Sequence, residues 1–421
     1  MEAGSELSSQ NLQLRSMAHS TDSASGKRMR VLLDARKLED GGIGTYIRNL
    51  VTGILAHDLV DLTLLANPAQ VDKYQWKDWV NVLENYIPTY SLREYFSLGK
   101  IVNAGNFDLF HVPHYTLPFG IKIPTVVTIH DVIHIKQPEK EYYPYLAKPL
   151  INSAIKRASR VLTVSQATYA DLVGICSKPE LLKDKLRVIP NALDATFLER
   201  ISSGNFEVPE IILHRYKLDG PYLLTVLSNS KPHKGIPDLV RAFESLKQRY
   251  LGGTKARNPQ LHKLVSDLKL ALVGQGSEDV TAIESALKFE HARQDIRFLG
   301  VVPRDDLYRL YLGAYALVVP SLAEGFCLPA LEAKACGTPV IARPIAALND
   351  FLDDEDWIAG DFTVAALEQR ILEFLSASLH VKLIRDKESV LRRVSGYLTQ
   401  DVGRAIIELY QETIRSCGER K

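Results

Sequence analysis

Tyr222-Leu223-Leu224-Thr225-Val226-Leu227-Ser228-Asn229-Ser230-Lys231-Pro232-His233-Lys234-Gly235 is the stretch from which the fold can be read. Its first six residues form a short apolar run, its middle is polar and cationic, and the segment Asp238 to Lys247 that follows has helical spacing. A strand that stops at a polar loop and feeds a helix is the repeating unit of a parallel sheet, because a parallel neighbour is reached only through a crossover. The same punctuation recurs at Arg30 to Asp34, Asp61 to Leu65, Thr125 to Ile129 and Arg160 to Val164, then at Leu268 to Val273, Leu317 to Val319 and Pro339 to Ala342. This alternation predicts an α/β protein whose parallel sheets are covered on both faces.

The length, 421 residues, exceeds one ordinary domain and fits two of about 150 to 200 residues. Residues 1–28, rich in Ser, Gln and Asn, read as a flexible extension. The strand series pauses between Asn191 and Asp219, which divides the chain into residues 29–205 and 206–394, and residues 395–421 form a terminal helix with Val402, Ala405, Ile406, Leu409 and Tyr410 on one face. Lys plus Arg (51) nearly cancels Asp plus Glu (50), so the net charge offers no footprint for nucleic acid, and any anion site is local. Cys176, Cys327, Cys336 and Cys417 have neither metal-ligand spacing nor the density of a disulfide framework. No run approaches the roughly 20 apolar residues of a membrane span and no signal-peptide core opens the chain, so a cytoplasmic protein is expected.

Ligands of open α/β sheets bind beyond the carboxyl ends of the strands, so polar motifs there carry the most weight. Gly41-Gly42-Ile43-Gly44 precedes a helical pattern and would let backbone approach a ligand; a plain glycine turn is the competing reading. His130-Asp131 ends an apolar strand, where a polar side chain can bond sugar hydroxyls, or where a neighbouring loop can satisfy the histidine. Ser228 to Gly235 brings Lys231 and Lys234 to a helix start, suited to the negative charge of a leaving diphosphate, against the alternative of a solvated basic loop. Most specific is Pro320-Ser321-Leu322-Ala323-Glu324-Gly325-Phe326-Cys327-Leu328-Pro329-Ala330-Leu331-Glu332. Glu324 at a strand tip can order sugar hydroxyls, Glu332 on the following helix can grip a ribose diol, and the amides of Gly325, Phe326, Cys327 and Leu328 face phosphates at the positive helix end. Asp353, Asp354, Glu355 and Asp356 read as a solvated acidic turn, and no essential metal is expected. Lys148 to Arg160 is basic and amphipathic, with Leu150, Ile151, Ala154, Ile155 and Ala158 on one face; it is either an ordinary domain helix or a rest on anionic lipid at the inner membrane face.

Together with Asp34, Arg36, His111-Val112-Pro113-His114-Tyr115, Val164-Ser165 and Ile189-Pro190-Asn191, these segments resemble the retaining GT-B glycosyltransferases of glycosyltransferase family 4, in particular its mannosyltransferase-like branch, from about Met29 to Tyr410. The resemblance implies two Rossmann-like domains facing across a cleft, the acceptor on the first, the nucleotide sugar on the second, and a C-terminal helix crossing back to the first domain. It places Glu324 and His130 near the donor sugar, Lys234 with Lys231, Ser228 and Asn229 at the diphosphate, Glu332 at the ribose, and backbone near Val302 at the base. It further implies same-face transfer in which the leaving phosphate takes the acceptor's proton. Two positions depart from the family: Ser228-Asn229 stands where Gly-Arg is frequent, and Cys327 where glycine is common.

The expected activity is therefore retaining transfer of a hexose, mannose first, from a nucleotide-diphosphate sugar to a glycan or lipid-linked acceptor. GDP-mannose leads as donor, UDP-sugars follow, and no cofactor is implied. A nucleotide-sugar epimerase or hydrolase, or a catalytically silent binding subunit on the same scaffold, is the alternative.

Overall fold

The structure, a computed structural model, describes residues 28–204, 206–227, 229, 231–251, 258–274, 287, 290–379 and 387–419. The extension expected over residues 1–28 lies outside them except for Arg28, as do Ser228 and Ser230. The chain forms two compact units, Met1–Ala192 with Gly396–Lys421, and Leu193–Ser395.

The first unit is built on seven parallel strands in the order β3-β2-β1-β4-β5-β6-β7: β1 (Met29–Asp34), β2 (Val60–Ala66), β3 (Asn81–Glu84), β4 (Leu109–Val112), β5 (Thr125–Ile129), β6 (Arg160–Thr163) and β7 (Leu186–Val188). Val31, Leu32 and Leu33 are all fully buried, because helices cover both sheet faces and remove any need for polar alternation. The covering helices include α1 (Gly41–Leu55), α2 (Leu92–Ala104), α3 (Tyr143–Arg157) and α4 (Gln166–Ile175). Ser91 caps α2 by accepting from the Glu94 N–H at 3.1 Å. The apolar face of α3 is spent on the core: Ile151, Ala154, Ile155 and Ala158 are buried among Leu98, Val127 and Val161. The reading of Lys148 to Arg160 as a lipid-facing stretch is corrected accordingly. Arg160 itself begins β6 and pairs with Glu412 at 2.9 Å.

The second unit opens with α5 (Ala195–Ser202), inside the segment where the strand series pauses; α5 packs on the helix that carries Glu332 (Leu328–Ala335), which is why the compact unit starts at Leu193. Its six parallel strands run β10-β9-β8-β11-β12-β13: β8 (Tyr222–Val226), β9 (Lys269–Val273), β10 (Ile296–Gly300), β11 (Ala316–Val319), β12 (Val340–Ala342) and β13 (Trp357–Ile358). The helices α6 (Ile236–Leu251), α7 (Pro259–Asp267), α8 (Arg304–Gly313), α9 (Leu328–Ala335) and α10 (Val364–Ser378) connect or cover them. The acidic turn after β12 is not solvated throughout. Asp353 and Asp356 hold the buried Lys334 ammonium at 2.8 and 2.6 Å, because a lysine turned inward from α9 needs paired charge.

The last helix, α11 (Thr399–Gly418), belongs to the first unit and lies against α1. The crossing is glycine on glycine: a Cβ on Gly53 would sit 2.5 Å from the Thr399 carbonyl oxygen, and one on Gly403 would sit 2.2 Å from that of Gly53. Farther along, the Tyr410 hydroxyl bonds His111 Nδ1 at 2.6 Å, and His111 Nε2 meets Thr128 Oγ1 at 2.7 Å, so α11 is tied into β4 and β5 by a buried polar chain.

Candidate functional site

In each sheet the strand order reverses once, between β1 and β4 and between β8 and β11. At such a reversal the connecting helices leave to opposite faces and open a crevice at the carboxyl edge. In the second unit the two loops that flank this point are the ones the sequence singles out. The loop after β8 carries Asn229, Lys231 and Lys234; the loop after β11 carries Ser321 and Glu324. The structure brings them into contact. Lys234 Nζ lies 2.7 and 2.9 Å from the two Glu324 oxygens, Ser321 Oγ donates to Glu324 Oε1 at 2.7 Å, and the Leu322 N–H donates to the His233 carbonyl at 2.6 Å.

Gly235 makes this approach possible. Its φ is +65°, and a Cβ there would lie 2.2 Å from the Pro320 carbonyl oxygen. Arg343, fully buried at the end of β12, holds the same corner by donating to that carbonyl at 3.0 Å and to Asp238 on α6 at 2.7 Å. Arg343 belongs to no motif in the sequence; its one local signal is a cation directly after the short apolar strand β12.

Beyond Glu324 the chain turns into α9 through Cys327, whose φ of +77° explains why glycine suits this position. No side chain caps α9 and its first turn holds no acid, so no side-chain carboxylate opposes an anion at its start. The Phe326 ring is buried and lies tilted against Phe351, with centroids 5.3 Å apart. The Cys327 thiol is pushed up by burial, and the nearby Glu324 carboxylate adds to the rise, so it stays neutral.

Glu332 sits one turn into α9, buried, with Arg304 Nη2 on Oε1 at 2.8 Å and the Tyr311 hydroxyl on Oε2 at 2.9 Å. Burial, reinforced by Glu332, raises the Tyr311 phenol far above its ordinary value and keeps it a donor. Arg304 also reaches Asp194 at 3.0 Å and lies over the Phe197 ring. Val302 is two residues before Arg304, in the turn from β10 to α8. Arg304 and Tyr311 were not anticipated, since nothing local in an ordinary amphipathic helix announces a partner 28 or 21 positions away.

In the first unit, β1 and β4 deliver a buried charged cluster to their reversal point. Asp34 pairs with Arg36 at 2.6 Å and with His114 Nε2 at 3.2 Å, and Arg36 also pairs with Glu94 and donates to the Ile87 carbonyl at 2.9 Å. Burial pushes Asp34 up, but the Arg36 guanidinium and His114 outweigh it and hold the carboxyl below the usual range. Asp34, Glu94 and His114 are close enough together to ligate a cation, but Arg36 already supplies the positive charge among them.

Gly42 lies in the first turn of α1, and a Cβ there would meet nothing within 4 Å, so the helix start is open to an approaching group. His130 is half-buried, edge-on to Tyr46 at 4.7 Å, with Nε2 3.1 Å from the Pro113 carbonyl. That contact puts the proton on Nε2 and leaves Nδ1 an acceptor. Burial lowers the His130 pKa to about 4, against the opposing pull of Asp131, so the ring is neutral near pH 7. Asp131 accepts from the Ile133 N–H at 3.0 Å, a local turn that occupies one of its oxygens.

Two family descriptions match the chain in tandem: Glycosyltransferase Family 4 over residues 40–197 and Glycosyl transferases group 1 over residues 212–388. O-antigen chain mannosyltransferase B of Escherichia coli is 27% identical over 270 residues, which cover 63% of this chain and 65% of that protein, so the chain spans just under two thirds of this relative. O-antigen chain mannosyltransferase RfbU of Salmonella typhimurium is 25% identical over 317 residues, covering 70% of this chain and 77% of that one. Among solved structures, a glycosyltransferase from Rickettsia africae superposes with a TM-score of 0.69 at 18% identity, over 92% of this chain and 99% of that one. Anabaena HepE in complex with UDP and glucose gives 0.67 at 18% identity, over 91% and 100%. At such identities the structural likeness is one of fold. Matched unit by unit, on two Rossmann-like parallel sheets, the chain belongs to the family 4 type of GT-B glycosyltransferases.

Proposed function

We propose that the protein transfers a mannosyl group from GDP-mannose, with retention and without a metal, to a glycan or lipid-linked acceptor in surface polysaccharide synthesis. The observation that carries this reading is the contact of Lys234 with Glu324 at the reversal point of the second sheet, beside the uncapped start of α9. A diphosphate leaving there gains charge as the glycosidic bond breaks, and Lys234, Lys231 and the amides of Gly325 to Leu328 answer that charge more strongly in the transition state than before it. With the leaving phosphate receiving the acceptor's proton, no protein nucleophile is required. Glu324 orders the sugar hydroxyls, Glu332 holds the ribose, and backbone around Val302 meets the base. His130, neutral with Nδ1 free to accept, suits a hydroxyl donor rather than a phosphate. The relatives named as mannosyltransferases support the sugar; the neighbour solved with UDP and glucose keeps a uridine donor as the second reading.

Calorimetric titration with GDP, UDP and ADP, with and without EDTA, tests the proposal. Selective GDP binding that EDTA leaves unchanged supports it. Selective UDP binding replaces the donor, dependence on a divalent ion removes the metal-free mechanism, and binding of none returns weight to a silent scaffold.

A further inference from the structure

The buried polar relay that begins at Tyr410 does not end at Thr128. The Thr128 hydroxyl also meets the Tyr46 hydroxyl of α1 at 3.1 Å, and the Tyr46 ring stands edge-on to His130, with centroids 4.7 Å apart and planes at 82°. Contacts therefore run without a break from α11 through His111, Thr128 and Tyr46 to the histidine at the tip of β5. Thr128 and His130 lie two positions apart, so the strand period sends both toward Tyr46. His111 and Pro113 have the same spacing where β4 ends, and the Pro113 carbonyl is the partner of His130 Nε2. Thr168 Oγ1 fixes the His130 backbone by donating to its carbonyl at 3.0 Å. The rotation of the ring is left to Tyr46 and Pro113, and His111 bears on each, through Thr128 and through the strand end that carries Pro113.

The relay has a direction. Burial keeps His111 neutral near pH 7, so its ring contributes one proton, and the hydroxyls of Tyr46, Thr128 and Tyr410 contribute one each to a row of three hydrogen bonds. One proton is left over, and it is least unfavourable on the group nearest to water. That group is Tyr46, 4% exposed, whereas Thr128, His111 and Tyr410 are fully buried. Tyr410 thus donates to His111 Nδ1, His111 Nε2 donates to Thr128, and Thr128 donates to Tyr46. The hydroxyl on α11 sets the His111 tautomer, and every later bond of the row follows from it.

We propose that Tyr410 is a positioning residue for His130, acting from the C-terminal helix through His111, Thr128 and Tyr46. Without the Tyr410 hydroxyl, His111 Nδ1 is a buried acceptor with no donor; the imidazole re-seats, Thr128 releases the Tyr46 hydroxyl, and the His130 ring loses the wall that fixes its rotation. The inference rests on the role proposed for His130 at the donor sugar. No phosphate or ribose contact proposed for the second unit involves the relay, so the affinity for nucleotide stays as it is and the effect falls on turnover.

The test combines nuclear magnetic resonance of the whole protein carrying nitrogen-labelled histidine with turnover of GDP-mannose and UDP-glucose, read as nucleoside diphosphate release with water as acceptor. His111 and His130 are both expected as neutral Nε2–H tautomers at pH 7, their signals assigned with His111→Gln and His130→Asn. Tyr410→Phe, which keeps the ring, and Tyr46→Phe are expected to move the His130 ring signals and to lower kcat about fivefold with KM unchanged. Thr413→Val is the control: its hydroxyl donates to the Leu409 carbonyl at 2.6 Å on the same buried stretch of α11, so its loss weakens the helix but produces neither effect. In a His130→Asn background, Tyr410→Phe lowers the rate no further. His130 signals unmoved by Tyr410→Phe, an equal loss in Thr413→Val, or independent losses that multiply in Tyr410→Phe/His130→Asn would each overturn the inference alone. A wild-type rate in His130→Asn would overturn the role proposed for His130 and the inference with it, so the two failures are told apart.

Discussion

Lys234 and Glu324 meet across two loops 90 positions apart, the ammonium touching both carboxylate oxygens at 2.7 and 2.9 Å. Both side chains are nearly buried, so each fixes the other's position before any ligand arrives. On the proposed mechanism Lys234→Ala is expected to lower the transfer rate by about 10²-fold, and Glu324→Gln by a similar factor, because each removes a charge proposed to act on the donor. Transfer assays on samples whose melting curves confirm folding check this; a wild-type rate in either variant removes that residue from the site. Since Lys234→Ala also strands a carboxylate, the double variant is expected to lose less stability than the two single losses added together.

Arg304 holds Glu332, and its loss acts on binding before chemistry. Arg304→Met is expected to weaken nucleoside diphosphate binding about tenfold, raising KM for the donor with a smaller change in kcat. Calorimetry and steady-state kinetics separate the two effects, and an unchanged dissociation constant would overturn the ribose role proposed for Glu332.

Gly235→Ala is expected to destabilise the second unit by about 2 kcal/mol or more, through a disfavoured backbone region and a clash with the Pro320 carbonyl. Gly42→Ala places its methyl in open space and carries neither cost, so thermal melting of the pair separates the strain at Gly235 from the effect of adding a methyl group.

Acid sensitivity has a defined direction. Burial holds His111 at about 3, well below the ordinary histidine value near 6.5, so between those values the unfolded chain binds the proton and the folded one does not. Stability from this group is complete above about pH 6.5 and is lost as pH falls, by up to about 1.4 kcal/mol per pH unit, until it levels near 3. Asp34, held below its usual range, adds a loss beginning near pH 4. Denaturant titration across this window in the wild type and His111→Gln is expected to show a shallower acid slope in the variant.

The strand–loop–helix rhythm was legible in the longer apolar runs, including β8 and β11, which flank the reversal point of the second sheet. β3, β4, β7, β10 and β13 were not: each is short or interrupted by polar residues, as His111 interrupts β4 and Arg297 interrupts β10, and pairing with a neighbour decides their existence. Lys234 and Glu324 could be assigned separately from their strand ends, but their mutual contact could not. Arg36 and Glu94 are 58 positions apart, and the hold of Asp353 and Asp356 on Lys334 depends on which way one helix faces. Each of these buried charges looks in sequence like an ordinary surface charge, because partnership in space leaves no trace in local composition.

The union of α1 with α11 sets an order of assembly during synthesis. His111 finds its Tyr410 partner 299 positions later, and the glycine crossing at Gly53 is empty until Gly403 has been made. A nascent first unit leaving the ribosome therefore carries an uncovered helix flank and an imidazole missing one of its two partners for as long as the second unit is being translated. The half that begins first is completed last, and a chaperone acting on this protein would find its binding surface on α1.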